Sequence, residues 1–248
     1  MSGHSKWSTI KRKKGALDAK RAKIFTKLLK EISVAAKEGG DDPDGNPRLR
    51  LAVQNAKGQN VPKDNIERAI NKGSGNDGAD YTELTYEGYG PNGVAVFVEC
   101  TTDNLNRTVA SVRSLFSKYG GSLGVNGSVD YMFDRKGIFL IKRTKQMNQD
   151  DLTLELIDGG AEEADFDDEY IHVTTAMEDF GSMQTKLDEV KLEAETAELQ
   201  RIPTNYVSLD DEQFESVMKL IDALEDDDDV QKVYHNLEIT DEQLERLS

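Results

Sequence analysis

Apolar residues recur at intervals of three and four over residues 19–37, which is the period of an amphipathic helix. They are Ile24, Phe25, Leu28, Leu29, Ile32 and Ala36. The run stops at Gly39-Gly40, because glycine terminates helices readily. The pattern predicts a first helix at the start of the chain.

The helical period returns twice before residue 74. A second helix is predicted from Pro47 to Gly58 and a third from near Pro62 to Gly73, so that residues 18–73 form a three-helix bundle. The short turn between the last two helices also fits a helix-turn-helix, in which the third helix would read bases. Short glycine-containing turns are common in both motifs, so the turn itself is not evidence for a helix-turn-helix. We therefore favour a plain helical hairpin.

Beyond a glycine-rich linker the apolar period becomes two, which is typical of strands. The predicted elements, in order, are strands TELTYEGYG (82–90) and GVAVFVECT (93–101), helix 104–119, strands SVDYMF (128–133) and GIFLIKR (137–143), helix 149–158, strands AEEADF (161–166) and EYIHVTT (169–175), helix 179–192, strand AELQRI (197–202), strand NYVSL (205–209), helix 211–224 and strand VQKVYHNL (230–237). Pairs of strands therefore alternate with single helices along the rest of the chain.

The order β-α-β-β-α-β from GIFLIKR to AELQRI is that of a complete ferredoxin-like unit. The last three elements lack a sheet of their own, so we predict that they complete a second α/β unit with the strands before them. Residues 135–203 would then be a domain inserted between 81–134 and 204–240. The predicted fold class is α+β multidomain, with an N-terminal three-helix bundle and two α/β (ferredoxin-like) domains.

Positive charge is concentrated at the N-terminus, although the protein as a whole is acidic. The first 72 residues hold 17 Lys and Arg against 8 Asp and Glu, a net of +9, whereas the other 176 hold 14 against 39, a net of −25. The basic end attracts polyanions, and the acidic body attracts basic protein surfaces. Charged blocks are also common as solvated faces, so charge alone favours nucleic acid only modestly.

Composition also narrows the class of protein. No apolar run approaches the roughly 18 residues that span a bilayer, and no apolar segment follows the basic N-terminus as in a secretory signal. One cysteine cannot form an internal disulfide, which suits a reducing cytoplasm. We expect a cytoplasmic protein with no membrane partner.

Residues suited to catalysis or metal binding are sparse. Alternation in VAVFVEC places Cys100 on the same face as Val94, Val96 and Val98, which predicts a core residue rather than a nucleophile. Three scattered histidines do not make a metal-ligand set, and the acidic run from Glu225 to Asp229 predicts a solvated turn. We expect no enzymatic activity, no cofactor and no small-molecule substrate.

The stretch SKWSTIKRKKGALDAKRAKIFTKLLK, residues 5–30, holds ten Lys or Arg and a single acidic residue, Asp18. On a helix, its last four lysines fall within a stripe of about 80° beside the apolar arc. One face of the helix can therefore pack while the other meets phosphates. We call Lys20, Lys23, Lys27 and Lys30 the lysine stripe.

Residues 1–17 have little apolar content, and we predict that they form a flexible basic arm. Trp7 lies in this arm, where it either stacks on an exposed base or docks against the helical bundle. The residues predicted to contact nucleic acid are Lys6, Trp7, Lys11, Arg12, Lys13, Lys14, Lys20, Arg21, Lys23, Lys27 and Lys30. Candidate extensions of this surface are Arg48, Arg50 and Arg68.

Several long motifs occur along the chain, namely GHSKWSTIKRKK, DAKRAKIFTKLLKEI, NPRLRLAVQNAK, NVPKDNIERAI, YEGYGPNGVAVFVECTTDNLNRT and FSKYGG. Together these motifs closely resemble the YebC/PmpR family. The resemblance implies an N-terminal helical domain and two α/β domains. It also implies a cytoplasmic regulator, widely described as a DNA-binding transcriptional regulator, with no catalytic residues. Relatives include a mitochondrial translational activator, and part of the family resembles ribosome-associated factors that relieve stalled translation.

Three functions remain open: a DNA-binding regulator, a ribosome-associated translation factor that binds rRNA, and a protein-binding module that uses the acidic body. The partner is DNA by resemblance, with rRNA as the rival. A body of −25 repels a long duplex within a Debye length of about 8 Å, whereas a ribosome offers both rRNA and basic proteins. A lysine-rich arm also neutralises phosphate more than it reads sequence.

Overall fold

The computed structural model describes residues 17–75, 80–144, 148–240 and 242–243, with side chains from residue 22 onward. Within these ranges the protein is mixed α/β. The helices are α1 (Leu17–Gly39), α2 (Pro47–Gly58), α3 (Lys63–Ser74), α4 (Leu105–Lys118), α5 (Gln149–Asp158), α6 (Phe180–Glu189) and α7 (Asp211–Glu225). The strands are β1 (Thr82–Tyr89), β2 (Ala95–Thr102), β3 (Ser122–Leu123), β4 (Phe133–Lys142), β5 (Ala161–Phe166), β6 (Tyr170–Ala176), β7 (Ala194–Pro203) and β8 (Val230–His235).

The chain divides into two compact units. The first takes its described residues from 1–27, 79–134 and 202–248, and the second from 28–78 and 135–201. The boundary between them falls inside helix α1. The domain boundaries given above stay a prediction.

The sheet of the first unit has the strand order β3-β1-β2-β8, and its neighbouring strands are antiparallel. Strand β2 is buried on both faces, which its near-continuous apolar sequence requires. One face carries Cys100, 2% exposed, into a core with the side chains of α4 and α7, so the prediction of a core cysteine is confirmed. The other face carries Phe97 against Phe133 and Tyr234.

The order of elements in this unit is β-β-α-β-α-β. The ferredoxin-like order predicted for both α/β domains is therefore not found here. The cause is the hairpin of β1 and β2, which follow one another directly, and the last strand, β8, which pairs with β2.

The strand predicted for SVDYMF, residues 128–133, is wrong. A single turn of 3-10 helix replaces it, and β4 begins only at Phe133. The buried carboxylate of Glu87 binds the backbone at the start of this segment. It accepts hydrogen bonds of 2.6, 2.8 and 2.9 Å from the backbone N–H groups of Gly127, Val129 and Asp130. Those groups cannot pair with a strand at the same time.

The strand predicted for NYVSL, residues 205–209, is also wrong. The segment makes a single β-bridge, between Val207 and Leu237. Its alternating pattern arises because Val207 and Leu209 both pack on the core of the first unit, and not because the segment pairs along its length.

The sheet of the second unit has the strand order β5-β6-β4-β7, and β6 is antiparallel to both of its neighbours. Helices α5 and α6 cover it with Leu156 and Met183, which pack on Phe139 and Ile171. The elements of this sheet follow one another as β-α-β-β-α-β along the chain.

Helix α2 is bound to this second sheet through its polar face. The Asn55 side chain accepts from the Ala197 N–H at 2.9 Å and donates to the Ala197 carbonyl at 2.8 Å. Gln54 donates to the Ala194 carbonyl at 3.0 Å, and Leu51 packs on the core below. Helix α2 therefore holds strand β7 as an additional strand would, by hydrogen bonds to its backbone.

Candidate nucleic-acid interface

Side chains of the predicted contact surface are described from Lys23 onward. Lys20 and Arg21 lie in helix α1, but their side chains are outside the described part. The predicted contacts Lys6, Trp7, Lys11, Arg12, Lys13 and Lys14 lie outside the described residues. The geometry of the surface therefore concerns the lysine stripe, of which Lys23, Lys27 and Lys30 are described.

Two lysines of the stripe contact the end of helix α7. The Lys23 ammonium lies 2.8 Å from a carboxylate oxygen of Asp226 and donates to the Asp226 carbonyl at 3.2 Å. One helical turn later, Lys27 donates to the Glu225 carbonyl at 2.8 Å. The structure thus brings two predicted phosphate ligands to an acidic turn of the same protein.

This turn attracts cations for two physical reasons. Glu225 is the last residue of α7 and Asp226 is its C-cap, so their carbonyls are among those that a helix end leaves without an intrahelical partner. The negative end of the helix dipole favours positive charge at the same place. The run EDDDD adds carboxylates to both effects. We call residues 225–229 the acidic turn.

Helix α4 holds the acidic turn in place. The guanidinium of Arg107 donates to both oxygens of the Asp229 carboxylate, with its shortest contact at 2.8 Å, and the Thr108 hydroxyl donates to one of them at 2.9 Å. Ser111 donates to Asp227 at 2.5 Å. The prediction of a solvated turn is therefore wrong for Asp229, which is only 5% exposed, because α4 supplies the partners that make burial of its charge possible.

Burial disfavours the charged form of Asp229, but the hydrogen bonds from Arg107 and Thr108 outweigh it and hold the pKa of the carboxyl below its ordinary value. Hydrogen bonds to Asp229 and Asp103 in turn raise the pKa of Arg107. Both groups are therefore charged at neutral pH. The pair is a permanent clamp and not a switch near physiological pH.

Reasoning from the sequence did not identify Arg107, Thr108 and Asp229 as positions with a specific role. Arg107 and Thr108 lie in TTDNLNRT, where Asn104 caps helix α4 by accepting from the Arg107 N–H at 3.0 Å. The cap is a local signal, and the helix was predicted to begin at this residue. The partner of Arg107 is 122 residues away, and no local pattern indicates it.

The three arginines suggested as extensions of the surface are engaged within the helical segment. They bind Glu31 and Glu38 (Arg48), the carbonyls of Pro43 and Asp44 (Arg50), and the Asp64 carbonyl with the Asn65 side chain (Arg68). These contacts stabilise the ends and turns of helices. Their role toward nucleic acid stays a prediction.

Other chemistry is limited in the part of the chain that the structure describes. His172 lies 2.8 Å from the Asp167 carboxylate, which also accepts two backbone N–H groups of its own turn, so this histidine closes the β5–β6 hairpin. Among the described side chains, no group of three or more His, Cys, Asp or Glu is placed to hold a metal ion. None of the described helices combines the length and the apolar character needed to cross a membrane.

Two family models match the chain. One, described as the TACO1/YebC protein N-terminal domain, matches residues 5–76, and the other, described as the TACO1/YebC second and third domain, matches residues 81–237. Together they cover both the basic end and the acidic body.

Full-length relatives agree with these models. A protein of Amoebophilus asiaticus is 59% identical over 96% of this chain and 98% of its own length, and one of Geotalea uraniireducens is 53% identical over the whole of both chains. Each is named "Probable transcriptional regulatory protein". The crystal structure of a conserved hypothetical protein of Aquifex aeolicus superposes with a TM-score of 0.79 at 42% identity, over 90% of this chain and 93% of that one.

Proposed function

This chain belongs to the TACO1/YebC family, and we propose that it is a nucleic-acid-binding regulator of gene expression in the cytoplasm. The observation that carries the proposal is the separation of charge, with +9 in the first 72 residues and −25 in the rest. Charge separated in this way along the chain attracts a phosphate backbone to the N-terminal segment and repels it from the rest. The names of the relatives support regulation, and the proposal assigns no catalytic residue.

The contact surface that we propose is the basic arm and the lysine stripe. DNA is the first candidate target, because the relatives are named as transcriptional regulators. rRNA is the second, because a ribosome offers nucleic acid for the basic arm and basic protein surface for the acidic body. Both targets share the same chemistry, a polyanionic backbone neutralised by lysine and arginine.

Neutralising the arm should flatten the salt dependence of nucleic-acid binding. The slope of log affinity against log salt is negative, and each lost phosphate contact reduces its magnitude by about 0.9 for duplex DNA and about 0.7 for a single strand. The variant replaces Lys6, Lys11, Arg12, Lys13 and Lys14 by glutamine. The slope is measured by fluorescence anisotropy on a short DNA duplex and a short single-stranded RNA.

A matched control keeps the change in net charge but moves it elsewhere. It replaces five exposed lysines by glutamine, namely Lys63, Lys118, Lys142, Lys191 and Lys219. We expect the arm variant to lose several units of slope and the control to keep most of it. An equal slope in both variants would remove the arm from the interface.

Sedimentation of a cell lysate through sucrose at near-physiological salt separates the two targets. Co-migration with ribosomes that is lost in the arm variant would support translation. Absence from ribosomal fractions, together with a DNA site preferred by a hundredfold or more, about 2.7 kcal/mol and within the range of specific regulators, would support transcription instead.

A further inference from the structure

We propose that the acidic turn is an internal competitor of nucleic acid. It holds Lys23 and Lys27 in the free protein, and a phosphate backbone must displace it before these lysines can bind. The inference rests on the proposed function, because it concerns the same lysine stripe.

The contacts leave little room for simultaneous binding. Lys23 directs two hydrogen bonds at Asp226, one to the carboxylate and one to the carbonyl, and Lys27 directs one at the neighbouring carbonyl of Glu225. A lysine that already faces a carboxylate has its charge neutralised, so a phosphate gains less from it. The turn thus presents closely spaced oxygen acceptors to the lysines, one carboxylate and two backbone carbonyls, at the place where a nucleic acid would present phosphate oxygens.

The turn cannot follow the lysines when they leave. Arg107 and Thr108 bind the Asp229 carboxylate, the Thr101 N–H donates to the Asp229 carbonyl at 2.8 Å, and Ser111 binds Asp227. All of these partners belong to β2 and helix α4. When phosphate replaces the acidic turn as the partner of the lysines, the lysine side chains or the start of α1 must therefore move.

The strength of the contact fits a competitor better than a permanent anchor. The side chains of Lys23 and Asp226 are 43% and 53% exposed, and an ion pair this exposed shifts an equilibrium by no more than about fivefold. A polyanion that makes several contacts at once outweighs it. The acidic turn should thus lower affinity slightly and reversibly, by the same factor for every target that binds through these lysines.

A double-mutant cycle on the full-length protein tests this competition. The four proteins are wild type, Lys23→Gln, Asp226→Asn and the double variant, with binding measured on the short DNA duplex and the short single-stranded RNA. We expect Asp226→Asn to tighten binding by about two- to fivefold when Lys23 is present, and to have no effect when residue 23 is glutamine. This coupling is the signature of competition for one lysine.

A general effect of net charge gives a different pattern. Tightening by the same factor with and without Lys23 would overturn the proposal, and so would an Asp226→Asn variant that binds no more tightly than wild type. Asp228→Asn is the matched control, because it removes one charge from the same turn and leaves the Lys23–Asp226 pair in place. It should change affinity less than Asp226→Asn does.

The cycle also separates failure of the inference from failure of the proposed function. Binding by wild type without coupling overturns the competition alone. If none of the four proteins binds either probe, the proposed function fails together with it.

Discussion

The Asp229→Asn substitution is expected to lower the free energy of unfolding by about 2–4 kcal/mol, measured by chemical denaturation of the full-length protein. Asp229 is buried but the Arg107 side chain is 53% exposed, so the expected loss is smaller than that for breaking a fully buried ion pair. Asparagine keeps the shape of the side chain but offers one oxygen where Arg107 and Thr108 find two. The amide N–H₂ group of asparagine, itself a hydrogen-bond donor, would also face the donors of Arg107 and Thr108.

The matched control is Asp228→Asn, one position earlier in the same turn. Asp228 is exposed, so its loss should change the free energy of unfolding by no more than about 0.5 kcal/mol. Equal unfolding midpoints for Asp229→Asn and wild type would show that the clamp contributes nothing to stability.

The effect of Asp229→Asn should depend on pH in one direction. Because the pKa of Asp229 is lower in the folded protein than its ordinary value of 3.8, its charge stabilises the fold fully above that value. The stabilisation is lost as pH falls through the folded pKa. The difference between the two proteins should therefore be constant near neutrality and shrink in acid. A difference that stays constant into acid would contradict the assignment of the lowered pKa.

Local patterns predicted those features that depend on neighbours in the chain. The alternation around Cys100 indicated a buried face, and that is where the side chain lies, because strand geometry alone decides which face a residue joins. Helix α5 was predicted at its observed bounds, residues 149–158. Patterns of this kind need no knowledge of distant residues.

The remaining features depend on partners that no local pattern reveals. EDDDD has the composition of a solvated turn, and Asp229 became buried only because Arg107, distant in sequence, reaches it. SVDYMF alternates like a strand, but Glu87 binds its backbone. Lys23 was assigned to phosphate by its charge, and its carboxylate partner is 203 residues away. In the first two cases an interaction between distant segments overrides a correct local tendency, whereas the assignment of Lys23 to phosphate stays a prediction.

Gly58→Ala is expected to destabilise the second unit by about 3 kcal/mol, which is at the upper end for overpacking. A Cβ at this position would lie 1.9 Å from the carbonyl oxygen of Glu195 in strand β7. Neither side can yield easily. Strand β7 is hydrogen-bonded within the sheet, and Asn55 fixes the last turn of α2 to Ala197 at both its N–H and its carbonyl.

A glycine at the end of a helix suggests that the turn needs its left-handed backbone conformation, but this is not the reason for Gly58. Helix α2 ends at Gly58 as predicted, but the left-handed residue of the turn is Asn60, with a φ of 58°, so Gly58 is required for close approach and not for its backbone freedom. Gly181→Ala is the matched control, since no atom lies within 4 Å of the added Cβ. It sits inside helix α6, where alanine should stabilise by up to about 1 kcal/mol. Thermal unfolding of both variants decides the matter: if Gly58→Ala unfolds at or above the midpoint of Gly181→Ala, helix α2 is not held against β7 by direct contact.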